Sequence, residues 1–217
     1  MANYLSLAHN QQRFSFPQCN RHKAMINLEQ LKRQPITLLV TIICILVYLL
    51  QKIGLQNAIF EFAHYPYYQG ESEQIWRYIS HSLVHLSEAH IIFNLLWWWQ
   101  FAGLIERYLG SFKLILLFFI AALLTGVAQN AMSGPNFFGL SGVVYAVLAY
   151  VFAANKFTKP SPLDLPDSFL YSLLIGISIG FISPLFGVYM GNTAHITGLI
   201  LGLLWGFNDA RRYQNNI

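Results

Sequence analysis

Charge is what this 217-residue chain has least of: Asp, Glu, Lys and Arg make up 10% of it, against 55% apolar residues and 16% aromatics. An ordinary soluble domain carries about 25% charged residues. Together with a mean hydropathy of +0.45, the deficit places the chain among integral membrane proteins. Cysteine is scarce too. The two present, Cys19 and Cys44, fall in a polar amino-terminal stretch and in the first apolar stretch, which excludes a disulfide framework and a cysteine metal site. Residues 1–34 contain no apolar core of the kind a secretory signal needs and are too few for an independent domain, so they read as a short basic cytoplasmic tail. No internal repeat, low-complexity tract or RNA- or DNA-binding module is visible. His81 and His85 stand one helical turn apart, but no Glu follows His81, so the zinc pattern H-E-x-x-H is missing and the pair reads as structural. No metal and no cofactor is expected.

What is present is a series of six apolar stretches, at about 36–53, 91–105, 114–128, 140–154, 169–187 and 194–207. They predict an all-α, polytopic membrane protein with six transmembrane helices over 35–212, followed by a cytoplasmic tail at 213–217. Several stretches fall short of the roughly 20 residues that a full span prefers, which implies helices beginning below the membrane surface or a locally thinned bilayer. With six spans and both ends on one side, every Lys and Arg except Arg77 and the boundary residue Lys52 falls on that side. Basic loop residues are retained in the cytoplasm, so both termini are placed there. The net charge of +4 then reflects topology and contact with anionic lipid.

Two connections stand out. Residues 54–87, on the extracytoplasmic side, carry Tyr65-Pro66-Tyr67-Tyr68, three glutamates and Trp76-Arg77. That aromatic content suits a membrane interface, and a connection so long is expected to contain short helices of its own. The uncharged run from Ser133 to Leu140 is expected to dip into the membrane. Irregular backbone survives at depth only against protein or a wet cavity.

Four polar side chains interrupt the apolar runs at a common level. Ser141 lies fifteen residues before Lys156, His195 fourteen before Asp209, and Asn94 and His90 twelve and sixteen before Glu106. At 1.5 Å per residue all four stand about 18 to 24 Å above the cytoplasmic face, leaving about 6 to 12 Å of a core about 30 Å thick for solvent access from the other side. Buried polar groups gathered at one depth point to function. A serine hydroxyl needs a neighbouring base to become a nucleophile, and His195 is the candidate. Its helix carries Ala194, Gly198, Gly202 and Gly206 at steps of four, and the serine helix carries Gly142, Ala146, Ala149 and Ala153. Small-residue stripes of this kind let two backbones approach closely. His90 and Asn94, at i and i+4, share one helical face and suit an oxyanion hole, to which the backbone N–H of Ser141 at a helix start adds a donor. Tyr145, one turn after Ser141, is a candidate to support the imidazole by stacking or hydrogen bonding, the alternative being an ordinary buried aromatic, and Gly139 and Leu140 read as further support for the serine. No Asp or Glu lies inside a span behind His195, so a dyad rather than a triad is expected.

At these residues the chain resembles the rhomboid family of intramembrane serine proteases, and within it the six-span bacterial type. The resemblance covers about 35–212. It rests on Trp76-Arg77, on His81-Ser-Leu-Val-His85 with His90-Ile-Ile-Phe-Asn94, on Glu106-Arg107, on Gly139-Leu140-Ser141-Gly142, and on Ala194-His195-Ile-Thr-Gly198-Leu-Ile-Leu-Gly202. It implies Ser141 as nucleophile, His195 as general base, and His90, Asn94 and the Ser141 N–H around the oxyanion. It also implies single-span membrane proteins as substrates, cut near the extracytoplasmic end of the helix after lateral entry past the second and fifth helices, in the bacterial inner membrane. A folded cytoplasmic domain ahead of the first span, present in longer members, is not expected. A rhomboid-like pseudoprotease lacks the nucleophile or the base, and this chain has both; a transporter recruits buried carboxylates, and none lies within a span.

Overall fold

A computed structural model describes residues 32–158, 165, 169–186 and 190–215. Most of the 1–34 tail, with Cys19, lies outside the described residues, as do Lys159, Asp164 and Asp167 and the last two residues of the 213–217 tail. The described residues are helical, with no strand among them.

The first span begins with α1, Pro35–Leu50. Proline suits the first helical position, where its missing N–H would have had no partner. The next two N–H groups, of Ile36 and Thr37, donate to the Glu106 carboxylate at 2.8 Å each, and Thr37 Oγ1 and Ser111 Oγ donate to it at 2.8 and 2.7 Å. Glu106 is thus a buried anionic cap for a helix 70 residues away in sequence. A wide π-type turn at Gln51–Leu55, with Gly54 at φ 101°, carries the rod into α2, Gln56–Ala63. The first span therefore runs past the expected end at residue 53, because the break in hydropathy at Gly54 is a kink and not a terminus. Pro35–Ala63 and Ser111–Ser133 are each long and apolar enough to cross a membrane on length and composition, while Ser141–Phe157 and Tyr171–Ile182 are shorter apolar helices.

The rest of the long connection is built from short pieces: α3 at Arg77–Ser80 and single 3-10 turns at Glu71–Glu73 and His81–Leu83. Arg77 holds them together. It is 7% exposed, donates to Gln74 Oε1 and to the Glu61 carbonyl at 2.7 Å each, and stands 3.5 Å from Glu71. Glu71 in turn accepts the N–H groups of Tyr67 and Tyr68 and pairs with His64.

The second span joins α4 (Glu88–Trp97), a π-type turn at Trp98–Ala102 and α5 (Gly103–Leu109). It is longer at both ends than the apolar stretch 91–105, since Ser87 caps its first turn, its Oγ accepting His90 N–H at 3.2 Å, and Glu106 is satisfied internally. After Gly110 come α6 (Ser111–Ser133), α7 (Ser141–Phe157), α8 (Phe169–Ile182) and α9 (Asn192–Asn215). Helix α7 is the centre of the bundle. Val143, Ala146, Val147, Ala149 and Tyr150 are all buried, packed with Trp98, Ile105, Leu114 and Leu117 from α5, α6 and the turn between the halves of the second span. The outer faces are apolar too: Leu39, Ile42 and Leu46 on α1, Phe119 and Leu123 on α6, Ile175 and Ile179 on α8, and Ile200 and Leu204 on α9 are exposed. Apolar area this extensive marks an interaction surface, and around a helix bundle the covering phase is lipid. At the end where the first span begins, away from its Gly54 kink, Tyr150 donates to Asp209 at 2.6 Å, and Asp209 pairs with Lys113.

Helix α9 lies along α7 because glycines line the seam. A Cβ on Gly198, Gly202 or Gly206 would collide in turn with the carbonyl oxygens of Gly142, Ala146 and Tyr150. Contact of this closeness is how spans without a hydrophobic driving force between them gain packing energy.

Candidate active site

Ser141 is the first residue of α7. The chain reaches it through Gly139 at φ 132°, a conformation that L side chains rarely adopt. A Cβ there would also strike the His90 ring, at 2.6 Å from Nε2. Gly139 N–H donates to the His81 carbonyl at 2.9 Å, Phe138 stacks on Phe60, and Phe137 meets Tyr65 at a tilt. The segment before the serine is thereby pinned against the long connection. The buried Leu140 then supplies the first helical acceptor, taking Val144 N–H at 2.9 Å. Being at the helix start, Ser141 keeps its own N–H out of the helical ladder.

His195 sits in the first turn of α9 and is 7% exposed. Its Nε2 is 2.8 Å from Ser141 Oγ. Ser141 itself is half-buried, so the hydroxyl can be approached. The imidazole is stacked on Tyr145, with ring centroids 4.7 Å apart and planes 23° from parallel. His195 Nδ1 is buried and meets no acceptor among the described residues, so no carboxylate orients the ring from behind.

His90 faces Gly139, two residues before the serine. Leu86 N–H approaches its Nδ1 at 3.5 Å, and its Nε2 lies on the Gly139 side. Asn94 is buried one turn later, and its Nδ2 donates to the His90 carbonyl at 2.9 Å. One amide N–H is spent within its own helix and one remains. The structure thus brings Ser141, His195 and Tyr145 into one chain of contacts, sets His90 against Gly139 two residues before the serine, and places Asn94 one turn after His90 on the same helical face.

Three supporting residues escaped the sequence reading. Gln129 of α6 caps α9, its Oε1 accepting Ala194 N–H at 2.9 Å. Asn192 ties the start of α9 to α8 by donating to the Gly180 carbonyl at 2.9 Å. Gln51 donates to the His85 carbonyl at 3.1 Å. Each stands at the edge of an apolar stretch, where a polar residue excites no suspicion. His81 and His85 are both buried, His81 bonding the Tyr78 carbonyl at 3.1 Å, and among the described residues no group of three or more His, Cys, Asp or Glu is arranged to hold a metal ion.

The model of the Rhomboid domain matches residues 72–212, well over half of the chain. The chain belongs to the rhomboid family. It is 54% identical over 182 residues to the rhomboid protease GlpG of Haemophilus influenzae, covering 84% of this chain and 94% of that one. It is 38% identical over 206 residues to the proteins of that name from Yersinia pestis and Yersinia pseudotuberculosis, covering 95% of this chain and 70% of theirs. This rhomboid is accordingly a bacterial serine protease of the GlpG type, embedded in the membrane as a polytopic helical bundle.

Proposed function

We propose that this rhomboid cuts single-span membrane proteins near the extracytoplasmic end of their transmembrane helix, using a Ser141–His195 dyad and an acyl-enzyme. The observation that carries this is the 2.8 Å contact between Ser141 Oγ and His195 Nε2 on two tightly packed helices. His195 Nε2 accepts the hydroxyl proton as Oγ attacks the substrate carbonyl carbon. The carbonyl oxygen becomes an oxyanion, held by His90 Nε2–H, the spare Asn94 amide N–H and the Ser141 backbone N–H. Collapse of this intermediate expels the amine, which takes the proton from His195, and leaves Ser141 acylated. Water entering from the extracytoplasmic side then gives a proton to His195 and attacks the ester, and the second collapse returns the proton to Oγ and releases the acid.

The dyad works without a third member because the ring is held mechanically, by the Tyr145 stack and by α9's close seat on α7. Gly139 and Leu140 present the Ser141 N–H to the oxyanion. Peptide groups within a regular helix are shielded by their own hydrogen bonds, so substrates with Gly, Pro or other weak helix formers at the cut are preferred. In the bacterial inner membrane both termini face the cytoplasm, with 1–34 and 213–217 as tails around the protease domain at 35–212.

Cleavage in liposomes of a single-span test substrate carrying glycine near one end of its helix tests this. The new amino terminus is expected to lie in the extracytoplasmic third of the span, and a cut in the cytoplasmic half contradicts the proposal.

A further inference from the structure

Helix α8 meets the site at two glycines one turn apart, in the run Gly176-Ile177-Ser178-Ile179-Gly180. Each receives the polar tip of a side chain from a neighbouring helix. A Cβ on Gly176 would overlap the Tyr145 hydroxyl, while the ring carbon bearing that hydroxyl would stay 3.6 Å away, in ordinary contact. A Cβ on Gly180 would overlap Asn192 Oδ1 and lie 3.2 Å from its Cγ, and Asn192 Nδ2 bonds the Gly180 carbonyl at 2.9 Å. Both tips belong to residues that bear on the imidazole. The Tyr145 ring is stacked on His195, and Asn192 opens α9 three residues before it. A phenol is rigid, so a sideways displacement of its hydroxyl tilts the whole ring, and with it the surface on which the imidazole rests.

We propose that the Gly176–Gly180 groove is a positioning element for the reaction: α8 seats the Tyr145 hydroxyl and the Asn192 amide, and through them sets the imidazole of His195 against Ser141. This rests on the dyad proposed above. Gly176 and Gly180 are positioning residues, and neither touches the reacting atoms. The steric specificity yields a sharp expectation. The harm done by a methyl at Gly176 resides in a single oxygen atom, and deleting that oxygen removes it.

The test uses the full chain in detergent and in liposomes, reading the rate at which a fluorophosphonate probe labels Ser141 and the kcat and KM for a single-span test substrate. Gly176→Ala is expected to slow labelling and lower kcat about ten- to hundredfold, since an ångström of misplacement carries a penalty of that order, with KM little changed. Gly176→Ala combined with Tyr145→Phe is expected to label within about twofold of Tyr145→Phe alone, the agreement that non-additive coupling through one shared contact requires. Gly180→Ala with Asn192→Ala is expected to match Asn192→Ala alone in the same way. Should Gly176→Ala unfold the protein, Tyr145→Phe must restore both folding and labelling. Parent-like labelling by Gly176→Ala, or a double variant that labels clearly more slowly than Tyr145→Phe alone or is as unfolded as Gly176→Ala, overturns the proposal. Failure of the dyad itself looks different: the parent then does not label, or Ser141→Ala labels as the parent does.

Discussion

Gly198→Ala probes how tightly the reaction depends on the α7–α9 seam. The added Cβ points at the Gly142 carbonyl oxygen and lies 3.1 Å from its carbon and 3.2 Å from Ala146 N. All three are backbone atoms, so no side-chain rotation relieves the clash and the helices must part. Overpacking of this sort costs about 1 to 3 kcal/mol. Because Gly142 adjoins Ser141 and Gly198 is three residues after His195, the separation falls on the 2.8 Å contact itself. Opening it by an ångström takes the pair out of hydrogen-bond range and is expected to slow the chemical step about a hundredfold. Gly206→Ala is the control. It meets Ala153 Cβ at 3.0 Å and Tyr150 Cα at 3.1 Å, but eleven residues, about 16 Å of helix, separate it from His195. The two variants should lose similar stability in detergent unfolding, while fluorophosphonate labelling falls far more for Gly198→Ala. Equal losses of labelling at equal losses of stability, or parent-like labelling by Gly198→Ala, would refute a seam that sets the dyad distance.

Glu106→Ala removes the acceptor of four hydrogen bonds at the start of α1 and is expected to lower unfolding stability by about 3 kcal/mol or more, with Glu106→Gln intermediate; a loss under about 1 kcal/mol for Glu106→Ala would show the cap to be idle. His90→Ala and Asn94→Ala are each expected to reduce kcat about 10²- to 10³-fold with the fold retained, read by cleavage rate alongside unfolding; an unaltered kcat for either removes it from the oxyanion hole. Burial alone would raise the Glu71 carboxyl, but the N–H groups of Tyr67 and Tyr68, with the electrostatic pull of the neighbouring His64 and Arg77, hold it below the usual carboxylate range. A lowered folded value means that its contribution to stability is complete above the unfolded carboxyl's pKa, about 4.3, and is lost as pH falls through the folded value. Acid unfolding followed by tryptophan fluorescence should therefore become shallower below that pH in Glu71→Gln, and an unchanged acid limb would count against the assignment.

The site residues were legible for a simple reason. In runs such as 140–154 and 194–207 nearly everything is apolar, so Ser141 and His195 stand out, and the small-residue stripes on both helices show that they can meet. That Tyr145 lies near His195 was legible at the level of one helical turn, and the stacking of the two rings was not. The supporting shell was not. Gln129, Asn192 and Gln51 sit where apolar runs end and polar residues are ordinary, and only the folded chain shows that they cap α9, tie it to α8 and hold the His85 backbone. Glu106 hid in a similar way, because a carboxylate at the edge of a span looks solvated until α1 brings its N–H groups to it. The first span was cut short at Gly54 because a kink and a terminus share the same drop in hydropathy, and the helical turns on either side are recovered only from backbone geometry. The glycines of α8 carry no chemistry of their own, and their part in the site depends on which tips they receive.

The central claim is that Ser141 is activated by His195. Fluorophosphonate labelling of the protein in liposomes, with the modified residue located by mass spectrometry, measures this most directly. Label on Ser141 alone, abolished in Ser141→Ala and reduced at least about a hundredfold in His195→Ala, is the expected result. Label on another residue, or labelling of Ser141 that is indifferent to the loss of His195, would contradict it.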